Sequence, residues 1–121
     1  MLTQDWMMRQ IETMTLAIAK LMFHKDSAEY EMRGGQEALT AADSLHASLN
    51  ALLREGRVAE GEDLLFSSLN TEDPAFLEAA VDFYFRLNLL SDQELEAGNF
   101  SRQEIEEGLR DVMDQYGVVL P

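Results

Sequence analysis

Nonpolar residues recur along most of this chain with the period of an α-helix. Between residues 4 and 23, Met7, Ile11, Met14, Ile18 and Leu21 follow one another at steps of four and three, which stacks them into one stripe of a helix of about five turns. Leu16 and Phe23 fall nearly opposite that stripe, beside Asp5, Arg9 and Glu12. The same helix therefore carries a second, smaller nonpolar contact. Residues 25–32 predict a short helical turn capped by Asp26 or Ser27. Gly34-Gly35 closes it, since glycine costs about 1 kcal/mol inside a helix.

From Glu37 to Glu55, the residues Leu39, Ala42, Leu45, Leu49, Leu52 and Leu53 form another stripe, with Gly56 where a left-handed terminal residue is wanted. Residues 57–69 follow after a turn of a residue or two, with Ala59, Leu64, Leu65 and Leu69 inward. A connection this short folds the two helices back antiparallel. Thr71-Glu72-Asp73-Pro74 opens a fourth helix, with Asp73 or Thr71 as cap and Pro74 in the first turn, where its missing N–H costs nothing. Phe76, Ala80, Phe83, Leu87 and Leu90 are its stripe, widened by Leu77 and Tyr84, which makes it the strongest core helix.

Ser91 with Glu94, and Ser101 with Glu104, are capping boxes. They open a short helix ended by Gly98 and a final helix ended by Gly117, the latter with Ile105, Leu109, Val112, Met113 and Tyr116 inward. Residues 118–121 form an apolar tail that either docks or frays. No segment alternates with the period of a strand. The predicted fold is all-α, a bundle or short solenoid of four to six antiparallel helices in a single domain, 1–121. Within it, residues 1–33 are an N-terminal helix and short turn, and residues 34–121 an acidic region of helical hairpins. Residues 52–65 read like the middle of a tetratricopeptide hairpin, where an apolar helix ends near a glycine and an acidic helix returns.

Composition narrows the function classes. At 121 residues and 46% hydrophobic, the chain can bury a core without a metal or a disulfide. It has no cysteine, which removes disulfide scaffolds, thiol nucleophiles and iron–sulfur ligation. The net charge of −14 is concentrated: residues 1–33 hold four basic and five acidic side chains, residues 34–121 five and eighteen. Such a surface repels phosphate, so neither nucleic acid nor anionic membrane is an expected partner. No stretch approaches the ~20 apolar residues of a membrane span, and no basic leader opens the chain, so a cytoplasmic protein is expected.

Candidate chemistry is sparse. Asp43-x-x-His46 is the one spacing related to a carboxylate-bundle metal site, and it is expected to be an exposed pair. Serines lack histidine partners in a nucleophile setting, and no phosphate-binding glycine motif occurs. Gly61 and Gly108 lie inside helices, where simple tolerance is preferred over close helix contact. Glu62-Asp63 and Glu106-Glu107 are read as solvated surface. No catalytic residue, cofactor or metal ligand is expected, and the protein is not expected to be an enzyme.

Interaction is the better candidate. Met1, Met7, Met8, Met14 and Met22 cluster with Trp6 in the first 22 residues, and methionine is the adaptable side chain of hydrophobic recognition surfaces. Trp6, Met7, Ile11, Met14, Leu16 and Phe23 are therefore candidate interaction residues, with core packing as the competing reading. Tyr84, Phe85 and Arg86 are candidates for a groove, because aromatic and arginine side chains dominate interface hot spots. The expected role is an adaptor for a protein of unknown identity. A homodimer through the N-terminal helix would keep the acidic regions apart. The alternative is an acidic decoy that inhibits a basic nucleic-acid-binding protein.

Five segments carry a resemblance: residues 4–11 (Gln4 to Ile11), 25–30 (Lys25 to Tyr30), 60–66 (Glu60 to Phe66), 82–88 (Asp82 to Asn88) and 100–109 (Phe100 to Leu109). Together the chain resembles, along nearly its whole length, a family of small acidic proteins of unknown function from anaerobic Gram-positive bacteria. The resemblance implies an all-α, tetratricopeptide-like fold and a bacterial cytoplasmic setting. It implies no activity and no site residues.

Overall fold

Six helices, and among the described residues no strand, make up the computed structural model, which describes residues 2–33 and 39–120. They are α1 (Leu2–Phe23), α2 (Ala41–Arg54), α3 (Val58–Ser68), α4 (Pro74–Leu89), α5 (Asp92–Ala97) and α6 (Arg102–Tyr116). The architecture is an all-α bundle built around α4. Every residue from Ala75 to Tyr84 is buried, as are Leu87 and Asn88. α1, α2 and α6 pack around it. Met8 meets Asn88 while Lys25, just past α1, meets Glu78, so α1 runs antiparallel to α4. α6 is antiparallel to it too, with Arg102 at Asn88 and Tyr116 at Asp73. α2 runs alongside α4 in the same direction.

Local signals set the helix ends. Asp73 accepts from the Ala75 N–H at 2.9 Å and Pro74 follows as the first helical residue. Ser91 and Glu94 cap each other's backbone at 3.1 and 2.9 Å. Ser101 caps the Glu104 N–H, but its hydroxyl turns to the Glu104 carboxylate instead of receiving a full reciprocal box. Gly56 and Gly117 adopt φ of +74° and +67°. Behind them the Arg57 N–H bonds the Leu52 carbonyl and the Val118 N–H the Met113 carbonyl, each at 2.9 Å, closing the free carbonyls of α2 and α6. The apolar tail docks: Val118 is buried and Leu120 packs on the core.

Gly98 is the C-cap of α5, as expected, and does more than end that helix. The left-handed residue after α5 is Asn99, with φ +58°, which asparagine tolerates. Gly98 also admits a close approach, since a Cβ there would lie 2.9 Å from Val58 Cγ2 and 3.3 Å from the Gly56 carbonyl oxygen. Gly61 and Gly108 are likewise close contacts and not merely tolerated. A Cβ on Gly61 would meet the Phe83 ring at 3.0 Å, and one on Gly108 would come within 2.4 Å of the Tyr84 hydroxyl.

Several stripe positions fall elsewhere than expected. Residues 25–32 are not helical: α1 ends where His24 takes φ +56°, and the Tyr30 and Glu31 N–H groups find tertiary partners on α4. α2 begins at Ala41 behind a Thr40–Asp43 capping box, so Leu39 precedes it and is 48% exposed. The expected start at Glu37, and Gly34-Gly35, lie outside the described residues. Leu21 is half exposed, and in α3 it is Val58, Gly61 and Leu65, not Ala59, that face inward.

The two internal glycines give a graded test. Gly108→Ala forces the Tyr84 hydroxyl and the Glu62 carboxylate away and is expected to cost about 1–3 kcal/mol. Gly61→Ala is expected to cost less, because the Phe83 ring edge needs to give only slightly. Thermal melts of the two variants check the order; equal or reversed losses contradict the packing.

Candidate functional site

Helix α4 is buried on almost every side and yet carries two carboxylates inward. Glu78 and Asp82 are 3% and 0% exposed, and Asp43 on α2 is also fully buried. A lone buried carboxylate is costly to desolvate, so each must be matched by donors and opposite charge. The segment 24–33 supplies most of them. Its Tyr30 N–H donates to Asp82 Oδ2 at 2.7 Å and its Arg33 N–H to Asp43 Oδ1 at 3.0 Å. Lys25 Nζ and Arg33 Nη2 reach the two oxygens of Glu78 at 2.9 and 3.0 Å. From α4 itself Arg86 Nε donates to Asp82 Oδ1 at 2.7 Å.

Tyr30 anchors this strap. Its hydroxyl donates to Asp43 Oδ1 at 2.7 Å, and its ring stacks on His46 with centroids 4.6 Å apart. Burial first, then the bond to Asp43, pushes the Tyr30 phenol well above its usual range. Asp43 also closes the cap of α2, accepting from the Thr40 N–H at 3.1 Å. The Asp43–His46 spacing is thus no exposed pair: Asp43 is the junction between cap and strap.

His46 lies with Nδ1 3.6 Å from Asp82 Oδ1 and Nε2 3.1 Å from the Asn50 amide nitrogen. The amide can only donate, so Nε2 accepts and the ring proton faces Asp82. Burial lowers the His46 pKa, outweighing the attraction of Asp82, so the imidazole is neutral at pH 7. Aspartate and histidine here resemble two parts of a hydrolytic triad, but the third neighbour is an amide, not a nucleophile. Among the described residues, no group of three or more histidine or carboxylate side chains is placed to hold a metal ion.

Two further polar knots sit on α4. Arg102, 2% exposed, donates to the Asn88 and Leu90 carbonyls. It so places a cation at the C-terminal end of α4, where the helix dipole favours one. The Tyr84 hydroxyl donates to Glu62 at 2.7 Å over Gly108. Burial raises the Glu62 pKa, the bond to Tyr84 opposes the rise, and Glu104, Asp63 and Asp111 add to it by repulsion. Glu62 and Glu106, which accepts from Gln10 at 3.2 Å, are half-buried and bonded, not simply solvated.

The surface lies at the far end of α4. Leu89 is 67% exposed and forms a wall of two neighbouring grooves. One, of about 410 Å³, runs between α1 and α4 past Asp5, Met8, Arg9 and Glu12. The other, of about 510 Å³, lies between the ends of α2 and α4, with Leu53, Leu89 and Leu90 as its apolar lining and Arg54 and Arg86 on its rim. Of the sequence-derived interaction residues, Arg86 lines this groove and Trp6 stands 63% exposed on α1. Met7 and Leu16 are half-buried, and Phe23 and Phe85 are half-buried against the core. Ile11, Met14 and Tyr84 are buried in the chain's own core, and Met14 also lines a groove between α1 and α6. Leu89 and Arg54 were not singled out; their signal is a leucine and an arginine at the last turns of adjacent helices.

Residues 1–117 match the profile of a family of unknown function, DUF6483. The chain belongs to this family. No curated protein and no solved structure matches it. Among the described residues no helix is long and apolar enough to cross a membrane.

Two substitutions probe the buried knots. Tyr30→Phe keeps the ring stack but removes the donor to Asp43, and is expected to cost about 1–3 kcal/mol in chemical denaturation. Glu62→Gln probes the other. The folded Glu62 pKa lies above the unfolded one, so its contribution to stability is full below the unfolded pKa and is lost as pH rises through the folded value. The variant is therefore expected to melt higher than the parent at pH 7, with the gap closing as pH falls toward 4. A variant that melts lower at pH 7 contradicts the burial.

Proposed function

We propose that this protein is a non-enzymatic interaction module of the cytoplasm, an adaptor that engages a protein partner through the helix surface around Leu89 and Trp6. The observation that carries this reading is Leu89 itself. It is two-thirds exposed on a helix whose other side is fully buried, and it divides two grooves. A large apolar side chain held rigid by the core and flanked by concave surface has the character of an interface anchor. Trp6 adds a second large exposed side chain on α1, one helical turn from Arg9 in the adjoining groove.

The interior supports a binding role over a chemical one. Among the described residues its titratable groups are engaged in hydrogen bonds or ion pairs, and the His46–Asp82 pair faces an amide. The helical-hairpin pattern at residues 52–65 fits a tetratricopeptide-like scaffold, a kind that presents side chains to partners. A second copy could also use the exposed part of α1, since Trp6, Leu21 and Met22 lie on its surface.

Affinity capture from the native host checks the reading with three baits: parent, Trp6→Ser with Leu89→Ser, and Val119→Ser as a control at another exposed apolar position. The expected outcome is a reproducible partner held by the parent and the control and lost by the double variant. A partner retained equally by all three baits contradicts the surface, and a parent that holds no partner contradicts the adaptor role.

A further inference from the structure

Nine cations serve this chain against 23 carboxylates, and most are already engaged. Lys25, Arg33 and Arg86 neutralise the buried acids, Arg57 pairs with Glu55 and Glu60, Arg110 with Glu106, and Arg102 caps α4. Arg9, Lys20 and Arg54 remain, each exposed and without an ion pair to any described residue; of these Arg54 shares its groove with a second arginine. It stands on the rim of the groove between α2 and α4, facing the same hollow as Arg86. Asp82 takes only the Nε of Arg86, whose side chain remains 37% exposed. Among the described residues one carboxylate lines this groove, Glu94, and it already accepts the Ser91 N–H at 2.9 Å.

On a molecule of net charge −14, a groove lined by two arginines and three leucines is complementary to one kind of ligand. We infer that the groove between the ends of α2 and α4 docks a short acidic segment of a partner protein. A leucine- or phenylalanine-type side chain of that segment rests on Leu53, Leu89 and Leu90, and its carboxylates pair with Arg54 and Arg86. The inference rests on the adaptor reading and adds the partner's chemistry. A second copy of this chain is the poorer occupant. A two-fold contact on this face sets arginine rim toward arginine rim, and a head-to-tail contact leads to a ring or an open filament and not to a dimer. Arginine suits the role because its planar fork matches a carboxylate in two bonds.

The test uses the full-length protein and three labelled peptides of equal length: leucine alternating with glutamate, with lysine, or with serine. Fluorescence anisotropy is read at low and at moderate salt. The acidic peptide is expected to bind, to weaken steeply as salt rises, and to lose about fivefold in affinity to Arg54→Glu. It is also expected to lose affinity to Leu89→Ser; both positions are exposed, so unchanged melting curves show that the fold survives. Acidic-peptide binding that ignores Arg54→Glu overturns the assignment to this groove. Preference for the lysine peptide overturns the inference in favour of the acidic-decoy reading. Preference for the serine peptide overturns the charge argument but leaves the adaptor reading standing. Failure of all three peptides overturns the inference, and only if the parent also captures no partner does the adaptor reading fall with it.

Discussion

Burying α4 imposes the constraint from which most of this structure follows. A helix enclosed by α1, α2 and α6 has almost no face left for solvent, yet α4 places Glu78 and Asp82 in the interior. Leaving either unpaired would cost on the order of 3–5 kcal/mol, a large part of the stability of a domain this size. The chain meets the requirement with a non-helical strap. Residues 24–33 bring Lys25, Arg33 and the Tyr30 backbone to the two carboxylates, and the same tyrosine reaches Asp43 at the start of α2. One buried helix thereby fixes the end of α1, the path of the strap and the position of α2.

The helices themselves were legible because their signals are local. The Asp73-Pro74 start, the Ser91 box, and the glycines at 56 and 117 each act within a few residues, and each works where expected. What stayed hidden depends on partners distant in sequence. Lys25 to Met32 has the composition of a capped turn, but the Tyr30 and Glu31 N–H groups are taken by carboxylates roughly fifty residues away, Asp82 and Glu78. Asp43 and His46 looked like a surface pair because one helix viewed alone shows nothing of the strap that covers it. Gly108 and Gly98 likewise carry no mark of Tyr84 and Val58, whose approach requires them.

The candidate surface was legible only in part, and for a similar reason. Aromatic and arginine residues near the end of α4 drew attention to positions 84–86, but helix phase divides them. Tyr84 turns into the core over Gly108, Phe85 packs half-buried, and Arg86 alone reaches a groove. Leu89, three residues further on, comes out beside it. On α1 the stripe of Ile11, Met14 and Ile18 belongs to the core, while Trp6 is left outside. Lys25, Arg33 and Tyr30 hold the buried acids at the strap, Leu89 is exposed toward the other end of α4, and Arg86 serves both regions by bonding Asp82 and lining the groove.

Native-state hydrogen exchange at a single amide tests this account most directly. The Tyr30 N–H, donated to Asp82 at 2.7 Å, sits in a segment without secondary structure and would ordinarily exchange at loop rates. If the strap is what neutralises α4, that amide exchanges only with the global opening that releases the α4 amides. Exchange of the Tyr30 amide at loop rates while α4 stays protected would show that the buried carboxylates are held without the strap, and the account would fail.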